Sequence, residues 1–455
     1  MLINFKLFLL ITALMVSTSS AMPAVRMQDT SAVSLSDQVK KEFLHAWKAY
    51  EKYAWGHDDL RPLSKTYRDW YSGTLLMTMV DSYDTMVLMG LNEEAEKTKA
   101  YIIENLSFDK DIYVKNFEIT IRMLGGLISG YELSGDSRLL KLAEDLGKRL
   151  LPAFNSPTGM PYTFVNLKTG AVQGPETNPA EIGTLLLEFG QLSRHTGDTV
   201  YFHKAKNAIR GIYSRRSPLG LVGESINVET GKFINTSSHI SGGIDSYYEY
   251  LLKAAILFGD KECLEMWNSS IASINKYLAD EKGNSLWYGY ADMYTGKRTE
   301  TYYGALDAFF PAVLALSGDL KTGERLMQSA FNMWNVCSVE PEVFDYSVMQ
   351  VKHPGYPLRP EIIESAYYLS HFTKNYKYVE MGGKMWNDFV RYCRTDEAYA
   401  ALKNVCTKEN SDNMQSFLFA ETFKYYYLLF SDPGKFDFEK YIFNTEAHPL
   451  KRKIN

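Results

Sequence analysis

Residues 117–151 read FEITIRMLGGLISGYELSGDSRLLKLAEDLGKRLL, and this stretch predicts a helical hairpin. Its first half, residues 117–131, is apolar nearly all round and contains several small residues, which is typical of a helix buried on every side. Its second half, residues 137–151, is amphipathic, which is typical of a helix with one solvated face. Between the halves, Gly135 can end one helix in a left-handed turn and Asp136 can cap the next. We therefore predict an inner helix, a corner and an outer helix.

The same corner recurs along the chain at intervals of roughly 60 residues, the length of a long helix pair with its connections. In each copy a Gly, or the Lys or Asn of the last copy, can end one helix in a left-handed turn, and an Asp or Asn can cap the next. The copies are LSGD at residues 133–136, HTGD at 195–198, FGD at 258–260, LSGD at 316–319 and FTKN at 372–375. The chain therefore reads as a series of helical hairpins.

Apolar periodicity around these corners predicts about fourteen helices, or seven hairpins. They span approximately residues 36–55, 71–91, 93–104, 117–133, 137–153, 180–194, 199–214, 242–257, 261–279, 303–316, 320–336, 360–372, 376–392 and 414–429. No long strand alternation competes with this pattern, so the predicted fold class is all-α. The hairpins can close into a ring or stack as an open solenoid, and periodicity alone does not decide between the two.

The composition is that of an ordered globular protein without a surface for nucleic acid. The 455 residues are 45% hydrophobic and 23% charged, and the formal net charge is -5. The aromatic share of 14% is rich enough for a ring-stacking surface as well as a core. Binding to phosphates needs clustered Lys and Arg, which occur only in the last few residues. We therefore predict no nucleic-acid partner.

The N-terminus reads as a secretory signal. Lys6 precedes an apolar stretch over residues 7–16, and Ser19, Ser20 and Ala21 are small residues suited to cleavage. The apolar stretch is too short to span a bilayer. The predicted organisation is a signal peptide at residues 1–21, a linker at 22–35, a single domain at 36–450 and a basic tail at 451–455. We expect an exported protein without stable membrane insertion.

The cysteines are Cys263, Cys337, Cys393 and Cys406, and an exported protein can form disulfides. Cys393 and Cys406 flank one loop-like stretch, so they are the predicted pair. Buried free thiols are an equally open alternative. The cysteines lack the spacing of metal ligands, which argues against a zinc site.

Carboxylates interrupt the apolar surroundings of the predicted inner helices, where a charge is unfavourable unless it is paired or functional. They are Glu118, Asp245, Glu361, Glu364 and Glu421. Taken singly, each fits a structural ion pair. Taken together, acids on different inner helices of one ring would converge on its axis. A convergent pair can hydrolyse an acetal, because one carboxylic acid protonates the leaving oxygen while one carboxylate activates a water.

Long collinear stretches connect the sequence to one known family. In chain order they are HAWKAYEKYAWGHDDLRPLS from His45, DSYDTMVLMGL from Asp81, FEITIRMLGGLISGY from Phe117, LLPAFNSPTGMPY from Leu150, LLLEFGQLSRHTGD from Leu185, DSYYEYLL from Asp245, LRPEIIES from Leu358, SFLFAETFKYYYLLF from Ser416 and FNTEAHPL from Phe443. With these stretches the chain resembles glycoside hydrolase family 47, the class I α-1,2-mannosidases, over essentially the whole mature sequence. The resemblance implies an (α/α)7 barrel whose far end is plugged by a C-terminal β-hairpin.

The resemblance also implies roles for individual residues. Glu118 matches the general acid and Glu361 the base of an inverting mechanism, which needs carboxyl groups roughly 6.5 to 9.5 Å apart. Asp245 is implied to be catalytic as well, and which of Asp245 and Glu361 is the base stays open. Thr445 is implied to bind Ca²⁺ directly through its carbonyl and hydroxyl oxygens. The residues that match family contacts to the terminal sugar are Arg122, Glu181, Arg359, Glu364, Phe417, Glu421 and Glu446.

Two departures bear on which branch of the family the chain resembles. Gly243 stands where enzymes of the endoplasmic-reticulum (ER) processing type carry Arg, and ALDAF at residues 305–309 replaces their HLxCF segment. The second change removes one half of the family's usual disulfide. In both places, and in RRSPLGLVGESINV from Arg215, the chain is more similar to the ER degradation-enhancing mannosidase-like branch and its bacterial relatives.

The implied function is therefore Ca²⁺-dependent, exo-acting removal of terminal α-1,2-linked mannose from N-glycan-type or mannan oligosaccharides. The expected partner is a mannose-containing oligosaccharide or a glycoprotein glycan, and the expected state is a monomer. The expected location is periplasmic or extracellular, or alternatively the lumen of the ER and secretory pathway. Two other functions stay open: an (α/α) glycosidase acting on a different sugar, and a catalytically weak glycan-binding lectin or quality-control adaptor.

Overall fold

The computed structural model describes residues 34–452, so the predicted signal peptide, almost all of the predicted linker and residues 453–455 of the predicted basic tail lie outside the described part. Between these limits the chain forms sixteen α-helical segments. In chain order they are α1 (Leu35–Tyr53), α2 (Met77–Met89), α3 (Asn92–Asn105), α4 (Asn116–Ile119), α5 (Gly125–Ser134), α6 (Ser137–Leu150), α7 (Pro179–Gly183), α8 (Leu186–Thr196), α9 (Val200–Tyr213), α10 (Asp245–Phe258), α11 (Lys261–Tyr277), α12 (Phe310–Ser317), α13 (Leu320–Cys337), α14 (Glu361–Thr373), α15 (Lys377–Cys393) and α16 (Phe423–Phe430). No helix within residues 34–452 is both long enough and apolar enough to cross a membrane.

These helices form an inner and an outer ring. Across the described part of the chain they pair, inner helix first, as α2 with α3, α4–α5 with α6, α7–α8 with α9, α10 with α11, α12 with α13, α14 with α15, and α16 with α1. The outer helices are amphipathic as predicted. In α6, Leu139 and Leu146 are buried while Arg138 is exposed. The hydrophobic core therefore lies between the two rings, and helices of both rings contribute side chains to it.

The ring is closed, because the first outer helix packs against the last inner helix. The ring centroid of Phe43 in α1 lies 5.1 Å from that of Phe419 and 5.8 Å from that of Phe423. Thr85 of α2 also donates a hydrogen bond to the carbonyl of Ala420 over 3.4 Å. The prediction of an all-α barrel is confirmed, and the open solenoid is excluded.

Each predicted corner has the predicted chemistry. A left-handed residue ends the first helix, and the next side chain accepts a hydrogen bond from a backbone N–H of the second helix. The residue pairs are Gly135 with Asp136, Gly197 with Asp198, Gly259 with Asp260, Gly318 with Asp319, and Lys374 with Asn375.

Several inner helices are less regular than the sequence predicted. Thr120–Leu124 and Leu418–Thr422 form π-helical turns, and Leu306–Phe309 is a 3-10 turn before α12. The predicted helix at residues 180–194 divides into α7 and α8 at Thr184 and Leu185. Apolar periodicity cannot reveal a single π-helical or 3-10 turn, because the α-helical turns before and after it keep the same face buried.

Short strands lie in the segments that connect one helix pair to the next and after the last inner helix. Within residues 34–452 they form eight small antiparallel sheets. The strands are β1 (Asp59–Arg61), β2 (Thr66–Arg68), β3 (Tyr113–Lys115), β4 (Phe164–Asn166), β5 (Val172–Gln173), β6 (Glu176–Thr177), β7 (Ser225–Asn227), β8 (Lys232–Asn235), β9 (Ser237–Ser238), β10 (Ala279–Lys282), β11 (Ser285–Tyr288), β12 (Tyr290–Asp292), β13 (Arg298–Glu300), β14 (Tyr302–Tyr303), β15 (Val343–Asp345), β16 (Gln350–His353), β17 (Ala401–Asn404), β18 (Glu409–Ser411), β19 (Tyr441–Phe443) and β20 (Pro449–Lys451). The sheets are β1–β2, β3–β4–β5, β6–β7–β8, β9–β12–β13, β10–β11, β14–β15–β16, β17–β18 and β19–β20. Apart from the C-terminal hairpin β19–β20, these sheets were not predicted, because strands this short show no alternation of apolar and polar residues.

The C-terminal hairpin lies inside the ring, as the resemblance implied. Ile442 pairs with Leu450 and Phe443 pairs with Pro449 in its ladder. Ile442 and Leu450 are buried, because β19 packs against α10 and β20 packs against α5. The turn at residues 444–448 is thereby brought to the centre of the barrel.

The predicted disulfide is wrong. Cys406 pairs with Cys337 instead, with 5.0 Å between their Cα atoms, and Cys393 is a buried free thiol, as is Cys263. Cys406 lies in the turn between β17 and β18, which packs against the C-terminal end of α13, where Cys337 is the last residue. Closeness in sequence misled the prediction, because Cys393 points into the core at 0% exposure.

Candidate active site

An open cavity of about 360 Å³ lies where the inner helices begin. All the residues that the sequence or the resemblance singled out line it. They are Glu118, Arg122, Glu181, Asp245, Arg359, Glu361, Glu364, Phe417, Glu421, Thr445 and Glu446. The chain therefore brings side chains from positions 118 to 446 into one water-accessible space.

The first turns of inner helices supply most of the acids. Asp245 is the first residue of α10 and Glu361 the first of α14, while Glu118 and Glu181 lie in the first turns of α4 and α7. The N-terminal end of a helix carries a partial positive charge that favours a carboxylate. Because these helices all begin at the same end of the ring, their acids converge.

Arg122 connects acids on one side of the cavity. Its Nε donates a hydrogen bond to Oε2 of Glu118 over 3.0 Å, and its Nη1 donates to Oε1 of Glu446. The same Nη1 lies 3.5 Å from Oδ2 of Asp81. Arg122 lies in the π-helical turn Thr120–Leu124. One guanidinium group thus fixes Glu118 relative to the C-terminal turn.

Arg359 holds the acids on another side. Its Nε and Nη2 each donate to one carboxylate oxygen of Glu342 over 2.9 Å. Its Nη1 lies 3.8 Å from Oε1 of Glu361. The guanidinium carbons of Arg359 and Arg122 lie 5.8 and 5.7 Å from the ring centroid of Phe417. Phe417 is therefore an apolar surface held between charged groups within a polar cavity.

Glu181 is bound at both carboxylate oxygens. Nζ of Lys115 lies 2.8 Å from its Oε1, and the hydroxyl of Thr177 donates to its Oε2 over 2.9 Å. The side chain of Asn178 caps α7 by accepting from the N–H of Glu181 over 2.9 Å. This acid is thus held in one orientation at the rim.

Burial dominates the electrostatics of the deeper acids. Burial raises the pKa of Asp245 and of Glu361 to about 7 each. Burial also raises the pKa of Glu364 and of Glu446 to about 8 each. The pKa of Glu421 is raised well above its usual range, first by burial and then by the charges of Glu446 and Glu361. Carboxyl groups with a pKa of about 7 or 8 can exchange protons near neutral pH.

The cavity is lined by more carboxyl groups than cationic side chains, which suits a hard cation. Eight carboxyl groups and three cationic side chains line it. Oε2 of Glu361 and Oε2 of Glu249 are buried without a hydrogen-bond partner among the described residues. Carboxylate oxygens and their bound waters are the surroundings that Ca²⁺ prefers. In the part of the chain that the structure describes, no group of three or more His, Cys, Asp or Glu side chains is arranged around one metal position.

Sequence reasoning missed Glu249, which also lines the cavity. It lies one turn after Asp245 in α10, so the i, i+4 spacing within DSYYEYLL could have found it. Its Oε1 contacts Nζ of Lys253. Lys115, Asn178 and other lining residues carried no comparable signal, because they belong to short connecting segments.

A second open cavity of about 550 Å³ adjoins the first. The two share lining residues Lys115, Asn178, Glu181, Gly242 and Gly243. The second continues past Phe164 of β4 and Glu224 before β7. Gly243 has a φ of 94°, a conformation that favours glycine. Gly243 therefore places no side chain between the two cavities.

Comparison with known proteins agrees with this geometry. The profile of Glycosyl hydrolase family 47 matches residues 42–452. ER degradation-enhancing alpha-mannosidase-like protein 3 of Homo sapiens is 36% identical over 478 residues, which covers 97% of this chain and 50% of that longer protein. Endoplasmic reticulum mannosyl-oligosaccharide 1,2-alpha-mannosidase of Homo sapiens is 36% identical over 472 residues, with coverages of 96% and 67%.

A solved structure shares the complete barrel. The alpha-1,2-mannosidase from Trichoderma reesei superposes with a TM-score of 0.86 at 28% sequence identity, covering 92% of this chain and 99% of that chain. The family resemblance drawn from the sequence stretches is thus confirmed along nearly the whole described chain. On its sequence and its architecture, this chain belongs to glycosyl hydrolase family 47.

Proposed function

We propose that the chain is an exo-acting, inverting α-1,2-mannosidase that removes terminal α-1,2-linked mannose from N-glycan-type or mannan oligosaccharides. The observation that carries this proposal is the convergence of Glu118, Asp245 and Glu361 in one cavity beside Thr445. Family membership supports it, because relatives at 36% and 28% identity are named as 1,2-alpha-mannosidases. The C-terminal hairpin, which packs inside the ring against α10 and α5, supports exo action.

Glu118 is proposed to protonate the leaving oxygen. Its Oε2 is already bound to Nε of Arg122 over 3.0 Å, so the carboxyl group has a fixed orientation. Arg122 also donates a hydrogen bond to Glu446, which is proposed to bind the terminal mannose. Arg122 therefore fixes the position of Glu118 relative to that sugar-binding residue. Fixed orientation of an acid toward the leaving oxygen lowers the barrier to bond cleavage.

Glu361 is proposed to take a proton from the attacking water. Its Oε2 is buried without a partner among the described residues, which leaves that oxygen free to accept from a water. Burial raises the pKa of Glu361 to about 7, so its carboxylate is a stronger base than an exposed Glu. In an inverting enzyme this water attacks the face of the sugar opposite to the acid.

Asp245 is proposed as a third catalytic carboxyl group. Its Oδ1 accepts from the N–H of Ser246 over 2.7 Å, and burial raises its pKa to about 7. Asp245 can therefore hold a proton near neutral pH or release it to a neighbour. Its charge also acts on Glu361 and raises the pKa of that residue.

The remaining predicted residues are proposed to bind the terminal mannose. Arg122, Arg359, Glu181, Glu364, Glu421 and Glu446 offer charged hydrogen-bond partners to ring hydroxyls. Phe417 offers its ring to the C–H face of the sugar. The second cavity, beyond Gly243, would take the rest of the oligosaccharide.

Thr445 is proposed to hold Ca²⁺ through its carbonyl and hydroxyl oxygens, with waters ordered by the surrounding carboxylates. When bound, such an ion positions sugar hydroxyls and a water by charge alone. Thr445 itself is oriented by its N–H, which donates to the hydroxyl of Tyr250 over 3.3 Å. The excess of carboxyl groups over cationic side chains is the feature of the cavity that favours this ion.

We also infer that the protein is exported to a periplasmic or extracellular space, or alternatively to the ER and secretory-pathway lumen. The motif around Lys6 and residues 7–16 supports export. The departures at Gly243 and at residues 305–309 support a place near the degradation-enhancing branch. Overall identity to the two human relatives is equal at 36% and does not separate the branches.

Free mannose released from α-1,2-mannobiose, measured with and without a calcium chelator, tests the proposal. We expect release that stops on chelation and returns when Ca²⁺ is added in excess. Glycan binding without release would indicate the lectin or adaptor function instead. Release of glucose from glucans without calcium would indicate the other (α/α) glycosidase.

A further inference from the structure

The turn that carries Thr445 and Glu446 is held by side chains from five parts of the inner ring. Asp84 and Asp81 of α2 bind His448, Arg122 binds Glu446, Glu188 of α8 binds Asn444, Lys253 of α10 donates to the carbonyl of Asn444, and Lys424 of α16 donates to the carbonyl of Ala447. All these groups are buried. A turn fixed from so many directions has little freedom to adapt.

Asn444 is the centre of this arrangement. Its Nδ2 donates to the carbonyl of Ile121 over 2.9 Å and to Oε1 of Glu188 over 2.8 Å. Its Oδ1 accepts from the N–H of Glu446 over 2.9 Å and from the N–H of His448 over 2.8 Å. One amide thus determines the path of the turn and also ties it to two inner helices.

Glu188 reaches Thr445 by a second route. The hydroxyl of Tyr250 donates to Oε1 of Glu188 over 2.7 Å and accepts from the N–H of Thr445 over 3.3 Å. Tyr250 and Glu188 are both at 0% exposure. The carboxyl group of Glu188 therefore orients Thr445 through one intervening hydroxyl group, that of Tyr250.

The absence of a side chain at Gly125 makes the space in which the turn lies. A Cβ at Gly125 would lie 2.7 Å from Nδ2 of Asn444. A Cβ at Gly126 would lie 2.7 Å from Cγ1 of Val80 in α2 and 3.1 Å from Cε1 of His448. Contacts below 3.0 Å force a shift of the neighbouring group. Gly125 is thus required by the turn rather than by the helix that contains it, whereas Gly126 makes room first for Val80 of α2.

We propose that Gly125, Glu188 and Tyr250 form a socket that positions Thr445 for cation binding. None of these residues lines the cavity, so each acts only through the turn. The inference rests on the proposed function, since it assigns the socket to the calcium that Thr445 is proposed to hold. Partners behind a metal ligand commonly change metal affinity by about 10-fold to 100-fold when removed.

Two variants of the full chain test the socket, each with a matched control. Tyr250→Phe removes only the hydroxyl that bridges Glu188 and Thr445, and Gly125→Ala displaces Asn444. Tyr247→Phe is the first control, because the Tyr247 hydroxyl is buried without a hydrogen-bond partner among the described residues. Gly383→Ala in α15 is the second control, because a Cβ there meets nothing within 4 Å.

Calcium affinity is measured by titration calorimetry, and melting temperature is measured with chelator and with excess Ca²⁺. We expect at least about 10-fold weaker calcium binding in Tyr250→Phe and Gly125→Ala, and a smaller rise of the melting temperature on adding calcium. Both controls should bind like the parent. Should Gly125→Ala fail to fold, Tyr250→Phe alone decides the matter.

The experiment distinguishes failure of the proposed calcium site from failure of the socket. A parent chain that binds no Ca²⁺ overturns the proposed cation and the socket together. A parent that binds Ca²⁺ while Tyr250→Phe and Gly125→Ala bind it equally well overturns the socket alone. A calcium affinity that falls by the same factor in Tyr247→Phe as in Tyr250→Phe also overturns it, since a general loss of packing in α10 would then explain the result.

Discussion

Nη1 of Arg359 lies 3.8 Å from Oε1 of Glu361, while Nε and Nη2 of the same guanidinium group donate hydrogen bonds to Glu342 over 2.9 Å each. Glu342 therefore competes with Glu361 for the nearest positive charge. This competition, together with burial, leaves the pKa of Glu361 at about 7. The protonation of the proposed base is thus adjustable through a residue that does not line the cavity.

Glu342→Gln should shift the acidic limb of the kcat profile to lower pH. Burial is the first cause of the raised pKa of Glu361, and the charge of Glu342 raises it further while Arg359 lowers it. Removing the Glu342 charge leaves Arg359 to act on Glu361, so the base stays ionised at lower pH. Initial rates at saturating α-1,2-mannobiose from pH 4 to pH 9 measure the shift. Glu439→Gln, at a side chain 92% exposed, is the control, and an equal shift in both variants would count against this explanation.

Glu340→Gln should stabilise the protein at pH 8 but hardly at pH 4.5. Glu340 is at 0% exposure, and neither carboxylate oxygen has a hydrogen-bond partner among the described residues. Burial raises its pKa well above the usual range, so the folded chain binds more protons than the unfolded chain above pH 4.5. Stability is then lost as pH rises, by about 1.4 kcal/mol for each unit of pKa shift that the pH crosses. Urea unfolding at the two pH values measures the difference, and equal gains at both would contradict the assignment.

Phe164→Ala should weaken the binding of long oligosaccharides and leave mannobiose kinetics unchanged. Phe164 is 37% exposed and lines the second cavity, where an aromatic face can stack on a sugar ring. Loss of one such contact is worth about 1 kcal/mol, or about fivefold in KM for an oligomannoside that reaches this cavity. Ile234→Ala is the control, because Ile234 is 52% exposed on β8 and does not line either cavity. A rise in KM for mannobiose itself would place Phe164 in another role.

Reduction should destabilise the parent through the bond between Cys337 and Cys406, whose residues are 69 positions apart. A disulfide closing a loop of this size contributes about 2–4 kcal/mol. We expect dithiothreitol to lower the melting temperature of the parent and to leave that of the Cys337→Ser/Cys406→Ser variant unchanged. Peptide mapping without reduction should recover the two cysteines linked. Recovery of Cys393 linked to Cys406 would reinstate the pairing that the sequence suggested.

Much of the fold could be predicted because its signals are local. Gly135 and Asp136 form a corner through neighbouring backbone atoms, and four further corners repeat the same chemistry. The apolar stretch at residues 117–131 identifies an inner helix without any knowledge of its partners. Closure of the ring did not follow from these signals, since it depends on contacts such as that between Phe43 and Phe423 at opposite ends of the chain.

The candidate site could be named only in part for a related reason. Acids such as Glu118 stand out because they interrupt apolar helices, whereas Thr445 lies in an ordinary turn and was found only through the family resemblance. The contact between Asn444 and Glu188 joins positions 256 residues apart and has no signature in the sequence. Cys337 likewise pairs with Cys406 because the two segments pack together in the fold, and the residues are 69 positions apart in the sequence.

The inverting mechanism is tested by the anomer of mannose that first appears from α-1,2-mannobiose. Proton NMR identifies this anomer in reactions of the parent and of Glu118→Gln. We expect β-mannose from the parent with calcium present, and no release from Glu118→Gln although the variant still binds the disaccharide. First appearance of α-mannose would contradict the inverting arrangement of Glu118 and Glu361. Unchanged turnover in Glu118→Gln would contradict its role as the acid.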